Sequence, residues 1–256
     1  MIDIIVPTHN HIELTIPCLD YLYRYTKEPF NLIIVDDSTD NTPEYIESLE
    51  YDNITFLHSD EPYKCGNQIF NTGIKVCKEK YVALVMNSVS VEPNWEAQAL
   101  LLMDSAPDVG IIGFKTLHPD GTIESAGLRL VDAETIDRKD YEISTKSFSD
   151  IGKHEPGHRH SLIYECDAVA WAFCLLRREA VPVLEENIYH GFLGWDDVDN
   201  CYVIKKNGWK ILYCGTGVGY HKARATRDDP SEEADKKNRE NAYRFFERWG
   251  FLKENS

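Results

Sequence analysis

Several features that mark particular classes of protein are missing from this sequence of 256 residues. No apolar run approaches the roughly 20 residues needed to cross a bilayer, so we predict no transmembrane segment. The N-terminal stretch MIDIIVP is too short for a signal peptide and lacks its basic flank. We therefore expect residence in the cytoplasm, and peripheral association with the inner face of a membrane stays open.

Basic residues are scarce, because 27 Lys and Arg stand against 43 Asp and Glu, a formal net charge of −16. Binding to nucleic acid requires a basic face, so we predict no nucleic-acid partner. Unaided docking to anionic lipid is disfavoured for the same reason. Any phosphate group must be held by a local feature that acts against the overall field.

The short motifs of several common sites are also absent. The seven cysteines form no Cys-x-x-Cys pair and lie in apolar patterns, which predicts buried free thiols. Neither G-x-G-x-x-G nor G-x-x-x-x-G-K-[ST] occurs, which argues against a nicotinamide dehydrogenase and a P-loop enzyme.

What is present in the first half is a regular alternation of strands and helices. The strand patterns are DIIVP, FNLIIVDD, NITFLHS and YVALVMNS, each followed by a helical pattern, and a helix over 96–104 then leads to the strand VGIIGFKTL. This order predicts an α/β fold with a doubly wound, mostly parallel sheet, helices on both faces and a smaller acceptor-side region.

The second half is less regular. HPDGTIESAGLRL predicts a hairpin within an irregular surface excursion over 118–165, and CDAVAWAFCLLRREAVPVL predicts a strand followed by a helix. The tail predicts an amphipathic helix with Tyr243, Phe246 and Trp249 on its apolar side. We expect a single domain over 1–256, with a nucleotide-binding half (1–117), an acceptor and catalytic half (118–221) and a C-terminal loop and helix (222–256).

Two aspartates, Asp36 and Asp37, close the second predicted strand. The ordinary explanation is that they cap the helix that follows and favour its positive end. The functional alternative places a carboxylate at the carboxyl end of the sheet, where it accepts hydrogen bonds from a base or ribose.

A denser acidic group, Asp196, Asp197 and Asp199, follows a Gly-Trp pair at the start of a predicted helix. Acids in a first helical turn also suit the helix dipole. Three of them beside an aromatic ring exceed what capping needs, and a carboxylate near other carboxylates gains basicity. That property suits a general base acting on a hydroxyl group.

The histidines are weaker indicators of a functional site. His221 follows the Gly-rich stretch WKILYCGTGVGY and gains interest only if the acidic turn lies nearby. The triplet His154, His158 and His160 lies in the irregular excursion without regular ligand spacing, so we interpret it as a solvated loop, with zinc as the minor alternative.

Five segments together resemble family 2 glycosyltransferases of the GT-A fold, in the rhamnosyltransferase-like branch. The segments are IIVPTHNHIE, LIIVDDSTDNT, GNQIFNTGIKVCKEKYVALVMN, AWAFCLLRREAV and GWDDVDNCYVIKKNGWKILYCGTGVGYH. They occur in the family's order and cover residues 1–221. The resemblance implies an inverting transfer of a sugar from a UDP- or dTDP-sugar to a hydroxyl acceptor that is a glycan, a lipid-linked glycan or another alcohol.

The resemblance also implies roles for individual residues. Asp197 would be the general base, with Asp196 in place of the family's Glu. The residues implied to bind the nucleotide are Pro7, Thr8, Asn10, Glu13, Asp36, Asp37, Asn67, Asn71, Asn87 and Ser88. The residues implied at the diphosphate are Lys64, Lys222, Arg224 and Arg227, those implied at the acceptor are Trp171, Trp195 and Asp199, and His221 would be a weak metal ligand.

The match breaks after the fourth strand, where the family carries an Asp-x-Asp motif that holds a divalent ion. Here Val89 replaces its last aspartate, and Asn87 and Ser88 are neutral. Neutral oxygens alone are poor ligands for Mg²⁺ or Mn²⁺. Three explanations stay open: a weakly held metal, basic side chains in its place, or an inactive enzyme. We favour the second.

The alternatives in function follow from this break. A catalytically weak or inactive nucleotide-binding scaffold is the main rival to a transferase, and Val89 is its support. A nucleotidyltransferase would need a basic Gly-rich loop after the first strand, which PTHNHIE is not. The sequence does not specify the donor sugar, the acceptor, the linkage or the oligomeric state.

Overall fold

The computed structural model describes residues 1–133, 144–192, 194–222 and 232–253, which contain one large mixed sheet of ten strands and a separate sheet of two strands. The strands are β1 (Ile2–Thr8), β2 (Phe30–Asp36), β3 (Ile54–His58), β4 (Tyr81–Val85), β5 (Val89–Val91), β6 (Val109–Leu117), β7 (Ile123–Ser125), β8 (Leu128–Asp132), β9 (Lys146–Asp150), β10 (Ile163–Glu165), β11 (Phe173–Arg177) and β12 (Lys210–His221). The helices are α1 (Ile12–Tyr25), α2 (Thr42–Glu47), α3 (Gly66–Val76), α4 (Ala97–Ser105), α5 (Asp196–Lys206) and α6 (Glu232–Arg248).

The strand order is β10-β12-β6-β11-β4-β1-β2-β3, with β5 paired to β12 and β7 to β6. Strands β4, β1, β2 and β3 are parallel to one another, β6 is parallel to β12, and β11 lies antiparallel between β4 and β6. The carboxyl ends of β1, β2, β4, β6 and β12 therefore meet at one edge. The predicted α/β fold with a mostly parallel sheet is confirmed.

Helices cover both faces of this sheet. Residues of α1 and α4, such as Leu19 and Met103, form one core with the sheet, and residues of α3, α5 and α6, such as Phe70, Cys201 and Phe245, form the other. The alternation of side chains along a strand supplies both cores, since Ile4 of β1 lies in the first and Ile5 in the second. None of the helices in the described ranges is long and apolar enough to cross a membrane.

The prediction of a helix after β11 is wrong. The chain makes only a 3₁₀ turn at Arg178–Ala180 and then becomes extended at Val181, whose φ and ψ are −92° and 112°. Pro182 explains the ending, because a proline disfavours the helical conformation of the residue before it and cannot donate a backbone hydrogen bond.

A hairpin forms at the HPDGT turn of HPDGTIESAGLRL, where β7 pairs antiparallel with the preceding strand β6. The following strand β8 pairs instead with β9, about twenty residues further along the chain. The described parts of 118–165 thus contain more regular structure than the polar composition indicated.

The apolar side of α6 differs from the prediction at one position. Ala242, Phe245 and Phe246 are buried, whereas Tyr243 is 44% exposed. The helical repeat brings residues 242, 245, 246 and 249 to one face, and Tyr243 projects to the other side.

Candidate active site

The carboxyl ends of three neighbouring strands carry a row of polar side chains, Thr8 of β1, Asp36 of β2 and His58 of β3, which are partners in the strand register. We call these residues the Thr8–Asp36–His58 row. Oδ1 of Asp36 accepts from Oγ of Thr8 (2.5 Å) and of Ser38 (2.6 Å). Oδ2 accepts from the Ser38 amide (3.2 Å) and lies 2.6 Å from Nδ1 of His58. A carboxylate offers about four lone-pair positions, so all those of Asp36 are used inside the protein.

Asp37, the next residue, is placed differently. Its Oδ2 accepts from the Tyr63 amide (2.7 Å), and its Oδ1 lies 2.8 Å from Nδ1 of His9. Each oxygen makes one hydrogen bond, which leaves acceptor capacity on both. The Asp37 side chain is itself buried at 3% exposure, and the ring of His9 that contacts it is half exposed.

The loop after β1 is tied to the loop after β2 through Asn10. Its side-chain oxygen accepts from the backbone amides of Thr39 (2.7 Å) and Asp40 (3.1 Å), and its backbone amide donates to Oγ of Ser38 (2.7 Å). Asn10 has a φ of 52°, a conformation that asparagine tolerates better than most residues. Its role here is to join two loops. Pro7 is buried within β1, and Glu13 is exposed beside His11.

The turn after β4 has a neutral surface. The side chain of Asn87 is 5% exposed and donates to Oγ1 of Thr15 (3.1 Å), and the Ser88 carbonyl accepts from the Lys222 amide (3.0 Å). Val89, at the position of the expected aspartate, is fully buried in the core beneath α1. Its side chain therefore stabilises packing and offers no ligand atom.

His221 pairs with Val89 in the register of β12 and β5, and its ring binds a residue that the sequence did not single out. Nδ1 of His221 lies 2.8 Å from Oε2 of Glu124 on β7. Burial alone would raise the pKa of the Glu124 carboxyl, but the hydrogen bond and charge of His221 lower it overall. Glu124 lacks a recognisable motif, so only the pairing of β7 with β6 reveals it.

The described residues assemble no group of three or more His, Cys, Asp or Glu side chains that could hold a metal ion. His154 stacks on His118 at 5.5 Å and His160 lies 3.3 Å from Glu155, so the minor zinc alternative receives no support from this part of the chain. With Val89 buried and His221 bound to Glu124, these donors do not fit a tightly held Mn²⁺ or Mg²⁺.

The first turn of α5 presents Asp196 and Asp197, both partly exposed, beside the start of α3. A Cβ atom on Gly66 would lie only 2.6 Å from Oδ2 of Asp196, so a larger residue at position 66 would displace the Asp196 carboxylate. Trp195 precedes the acids with a φ of 76° and packs on Phe245 at 5.3 Å. The left-handed backbone at Trp195 turns the chain sharply and projects the first turn of α5 toward α3.

Four side chains predicted to contact a ligand are engaged by protein partners, and three of them, Asn67, Trp171 and Asp199, are 2% exposed. Asn67 is 2% exposed and binds the Glu185 carbonyl and Asn200, and Asn71 binds the backbone of Leu184 at both its oxygen and its nitrogen. Trp171 is 2% exposed and lies in the core against Cys201.

Asp199 is the fourth, and it accepts from Nε1 of Trp249 at 2.7 Å. Burial raises the pKa of its carboxyl despite that bond and the nearby Arg248. Each of the four side chains is thus used within the fold. Asn67 and Asn71 hold the segment before α5, Trp171 packs in the core, and Asp199 bonds to Trp249 beside the end of α6.

Helix α6 holds the segment that leads into α5, a contact that the sequence did not predict. Oδ1 of Asn241 accepts from the His190 amide (2.8 Å) and its Nδ2 donates to the His190 carbonyl (3.1 Å), while Arg244 donates to the Ile188 carbonyl. Arg248 bonds to Glu185 at 2.5 Å. A buried asparagine within an apolar face was the available signal.

Of the residues predicted to bind the diphosphate, Lys64 and Lys222 are exposed near the strand ends, where their side chains are accessible to a ligand. Arg224 and Arg227 lie outside the described residues.

Comparison with known proteins places this geometry in context. The sequence model of glycosyl transferase family 2 matches residues 3–180. The uncharacterized protein y4gI of Sinorhizobium fredii is 26% identical over 91% of this chain and 26% of its own length. Glycosyltransferase GlyG of Streptococcus pneumoniae is 28% identical over 37% of this chain and 32% of its own. The chain therefore spans about a quarter to a third of the length of these relatives.

The fold also occurs in a solved structure with ligands. The crystal structure of GalNAc-T7 with UDP, GalNAc and Mn²⁺ superposes with a TM-score of 0.65, covering 86% of this chain and 43% of that one. The sequences are 13% identical, so the likeness concerns the fold.

We expect Glu124→Gln to change how thermal stability depends on pH. Because the folded-state pKa of Glu124 lies below its usual value of 4.5, the pair with His221 contributes stability above pH 4.5 and loses it as the pH falls through the lowered pKa. Thermal melts across the acid and neutral range should show a wild-type advantage at neutral pH that narrows below 4.5. Glu50→Gln, at an exposed carboxylate, is the control and should show little change. A gap that is the same at every pH would contradict this assignment.

Proposed function

The chain belongs to glycosyl transferase family 2, and on that basis we propose that it transfers a sugar from a nucleoside diphosphate donor to a hydroxyl acceptor with inversion. One observation carries the proposal. Asp37 at the end of β2 and the first turn of α5 with Asp197 lie at the same edge of the sheet, where α/β folds bind ligands. UDP in the related GalNAc-T7 structure supports a donor of this class.

Asp37, and not Asp36, is the residue that reads the base. Uracil and thymine carry an N3–H donor, and a carboxylate with unused acceptor positions is its natural partner. Asp37 has such positions, whereas those of Asp36 are filled by Thr8, Ser38 and His58. Asp36 instead fixes the strand ends on which the pocket is built.

Asp197 is the general base. The acceptor O–H gives its proton to the Asp197 carboxylate, the oxygen bonds to the anomeric carbon, and the bond from that carbon to the diphosphate oxygen breaks. The nucleoside diphosphate leaves with the electron pair, and attack from the opposite side inverts the centre. Asp196, held against Gly66, keeps the first turn of α5 beside α3.

The leaving diphosphate is neutralised by basic side chains. The donors around Val89 do not fit a divalent ion, so no step is assigned to a metal. Lys222 is positioned for this role, because its amide is fixed to the Ser88 carbonyl while its side chain is exposed. Lys64, Arg224 and Arg227 are the further candidates, and charge-assisted bonds to phosphate are strong.

The rival proposal is a nucleotide-binding protein without turnover. It is favoured by the burial of Val89, since a chain that no longer catalyses transfer needs no ligand there. Both proposals include nucleotide binding, so turnover separates them.

Asp197→Asn should lower kcat by about a thousandfold while the affinity for UDP stays unchanged, because only proton transfer is lost. Transfer or hydrolysis from a panel of UDP- and dTDP-sugars provides the rate, and the shift in melting temperature with UDP provides the affinity. Asp199→Asn is the matched control on the same helix, buried against Trp249, and should retain turnover. Absence of turnover in the wild-type protein across the panel would favour the rival proposal.

Asp37→Asn should abolish the preference for UDP over N3-methyl-UDP, which lacks the N3–H donor. The wild-type protein should prefer UDP by about tenfold or more, as expected for a hydrogen bond to a charged group. Isothermal titration calorimetry of UDP and N3-methyl-UDP, each with the wild-type protein and with Asp37→Asn, measures the affinities that this comparison needs. Asp36→Asn should lower the melting temperature instead, since it breaks the Thr8–Asp36–His58 row. An undiminished preference in Asp37→Asn would assign base recognition elsewhere.

Transfer should persist in the presence of a chelator, and Lys222→Ala should lower kcat on the order of tenfold because the diphosphate loses a cation. Lys153→Ala, an exposed lysine that pairs with Asp150, is the control. Initial rates with chelator and with added Mn²⁺ decide the question. Activity that returns only with Mn²⁺ would refute the role given to the basic side chains.

A further inference from the structure

A cavity of about 370 Å³ opens on the α1 face of the sheet, beside the turn after β4. Tyr21 of α1 and Tyr220 of β12 line it, together with Ser90 and Glu92 of the segment that contains β5. It shares Asn87, Ser88 and Lys222 with the proposed donor site but includes neither Asp37 nor Asp197. The cavity is therefore a neighbour of the donor site, reached from the other side of the same turn.

The walls of the cavity are fixed by hydrogen bonds. Tyr220 and Ser90 are register partners in the β12–β5 pair, and the Glu92 amide donates to the Val218 carbonyl at 2.9 Å. Asn87 is tied to Thr15 of α1, which joins the helical wall to the strand wall. A ligand entering this space meets a preformed surface, which lowers the entropic cost of binding.

The chemistry of the lining favours an uncharged ligand with one apolar face and several hydroxyl groups. Tyr21 and Tyr220 are large aromatic side chains that remain 39% and 38% exposed. Aromatic rings pack on the C–H face of a sugar ring, and their hydroxyl groups can bond to its rim. Ser90, Asn87 and Glu92 supply further donors and acceptors, and Glu92 balances the single cation, Lys222.

The size of the cavity further restricts which ligands can fit. Its volume is at the lower end of the range of small-molecule pockets, about 300–1,000 Å³, which suits one or two sugar rings. The lining carries one acid, Glu92, against one cation, Lys222, so the cavity as a whole favours an uncharged ligand. A pyranose ring meets all of these requirements.

We propose that this cavity binds a pyranose unit of the acceptor, so that the acceptor is a glycan; this rests on the proposed transferase function. The bound unit is not the one that reacts, because Asp197 begins a helix that packs on the opposite face of the sheet from α1. A glycan chain crosses the strand ends, with its reacting hydroxyl at α5 and a more distant ring between Tyr21 and Tyr220.

Binding of simple sugars tests the cavity without any turnover. Methyl glycosides of glucose, galactose, mannose and N-acetylglucosamine are the probes, measured by saturation-transfer NMR, and glycerol is the ligand control because it has hydroxyl groups but no ring face. At least one glycoside should bind, Tyr21→Ala and Tyr220→Ala should each weaken it by about tenfold, and the Phe substitutions should retain most of the affinity.

Controls make the result specific to the cavity. Tyr243→Ala removes a tyrosine of similar exposure on α6 and should change nothing, and melting temperatures establish that each variant is folded. The proposal is overturned if no glycoside binds the wild-type protein, if the Ala variants bind as well as wild type, or if UDP displaces the glycoside, which would make the cavity part of the donor site.

Kinetics separate this proposal from the transferase assignment. With a glycan acceptor, Tyr21→Ala and Tyr220→Ala should raise the acceptor KM by about tenfold and leave kcat and the donor KM unchanged. Glycoside binding by Asp197→Asn, which is independent of catalysis, would support the cavity even if transfer were never observed. Transfer to acceptors without a sugar, unaffected by either Ala substitution, would refute the cavity while leaving the transferase intact.

Discussion

The buried carboxylate of Asp36 is the constraint on which the rest of the site depends. Strands β1, β2 and β3 end in register, and Asp36 joins Thr8 on one side to His58 on the other. A buried charge is tolerated only when its oxygens are satisfied, and here each accepts two hydrogen bonds. Because these bonds fix Ser38 and the loops beyond it, Asp37 is held with unused acceptor capacity at the floor of the proposed pocket. Asp36 thus orders the strand ends, and Asp37 beside it is the residue proposed to recognise the base.

Neutrality at the turn after β4 has a structural reason as well as a chemical consequence. Val89 is part of the core between the sheet and α1, and its burial lets β5 pair with the end of β12. The same pairing positions the Lys222 amide at Ser88 and forms one wall of the cavity beside α1. The absence of a carboxylate at this turn is therefore coupled to a packed strand pair, and in the proposed reaction exposed cations neutralise the diphosphate.

The opposite side of the site depends on contacts between distant parts of the chain. Asn67 and Asn71 of α3 hold the segment over 184–186, and Asn241, Arg244 and Arg248 of α6 hold the residues that follow it. This segment leads into Trp195 and the first turn of α5. The segment before Asp197 is thus held by two helices, one of which, α3, lies far from it in sequence, and for the proposed general base such support would place the carboxylate for proton transfer.

The sequence by itself determined the α/β class, the alternation of strands and helices in the first half and the family, because hydrophobic periodicity and ordered motifs are local properties. It also located Asp36, Asp37 and the acids of α5 near strand and helix ends. Only the tertiary structure separated Asp36 from Asp37, since adjacent residues on a strand end face different partners. It alone buried Asn67, Trp171 and Asp199, paired Glu124 with His221 and placed α6 behind the acidic turn. Those outcomes depend on which groups become buried together, and burial is decided by contacts between residues that the chain keeps far apart.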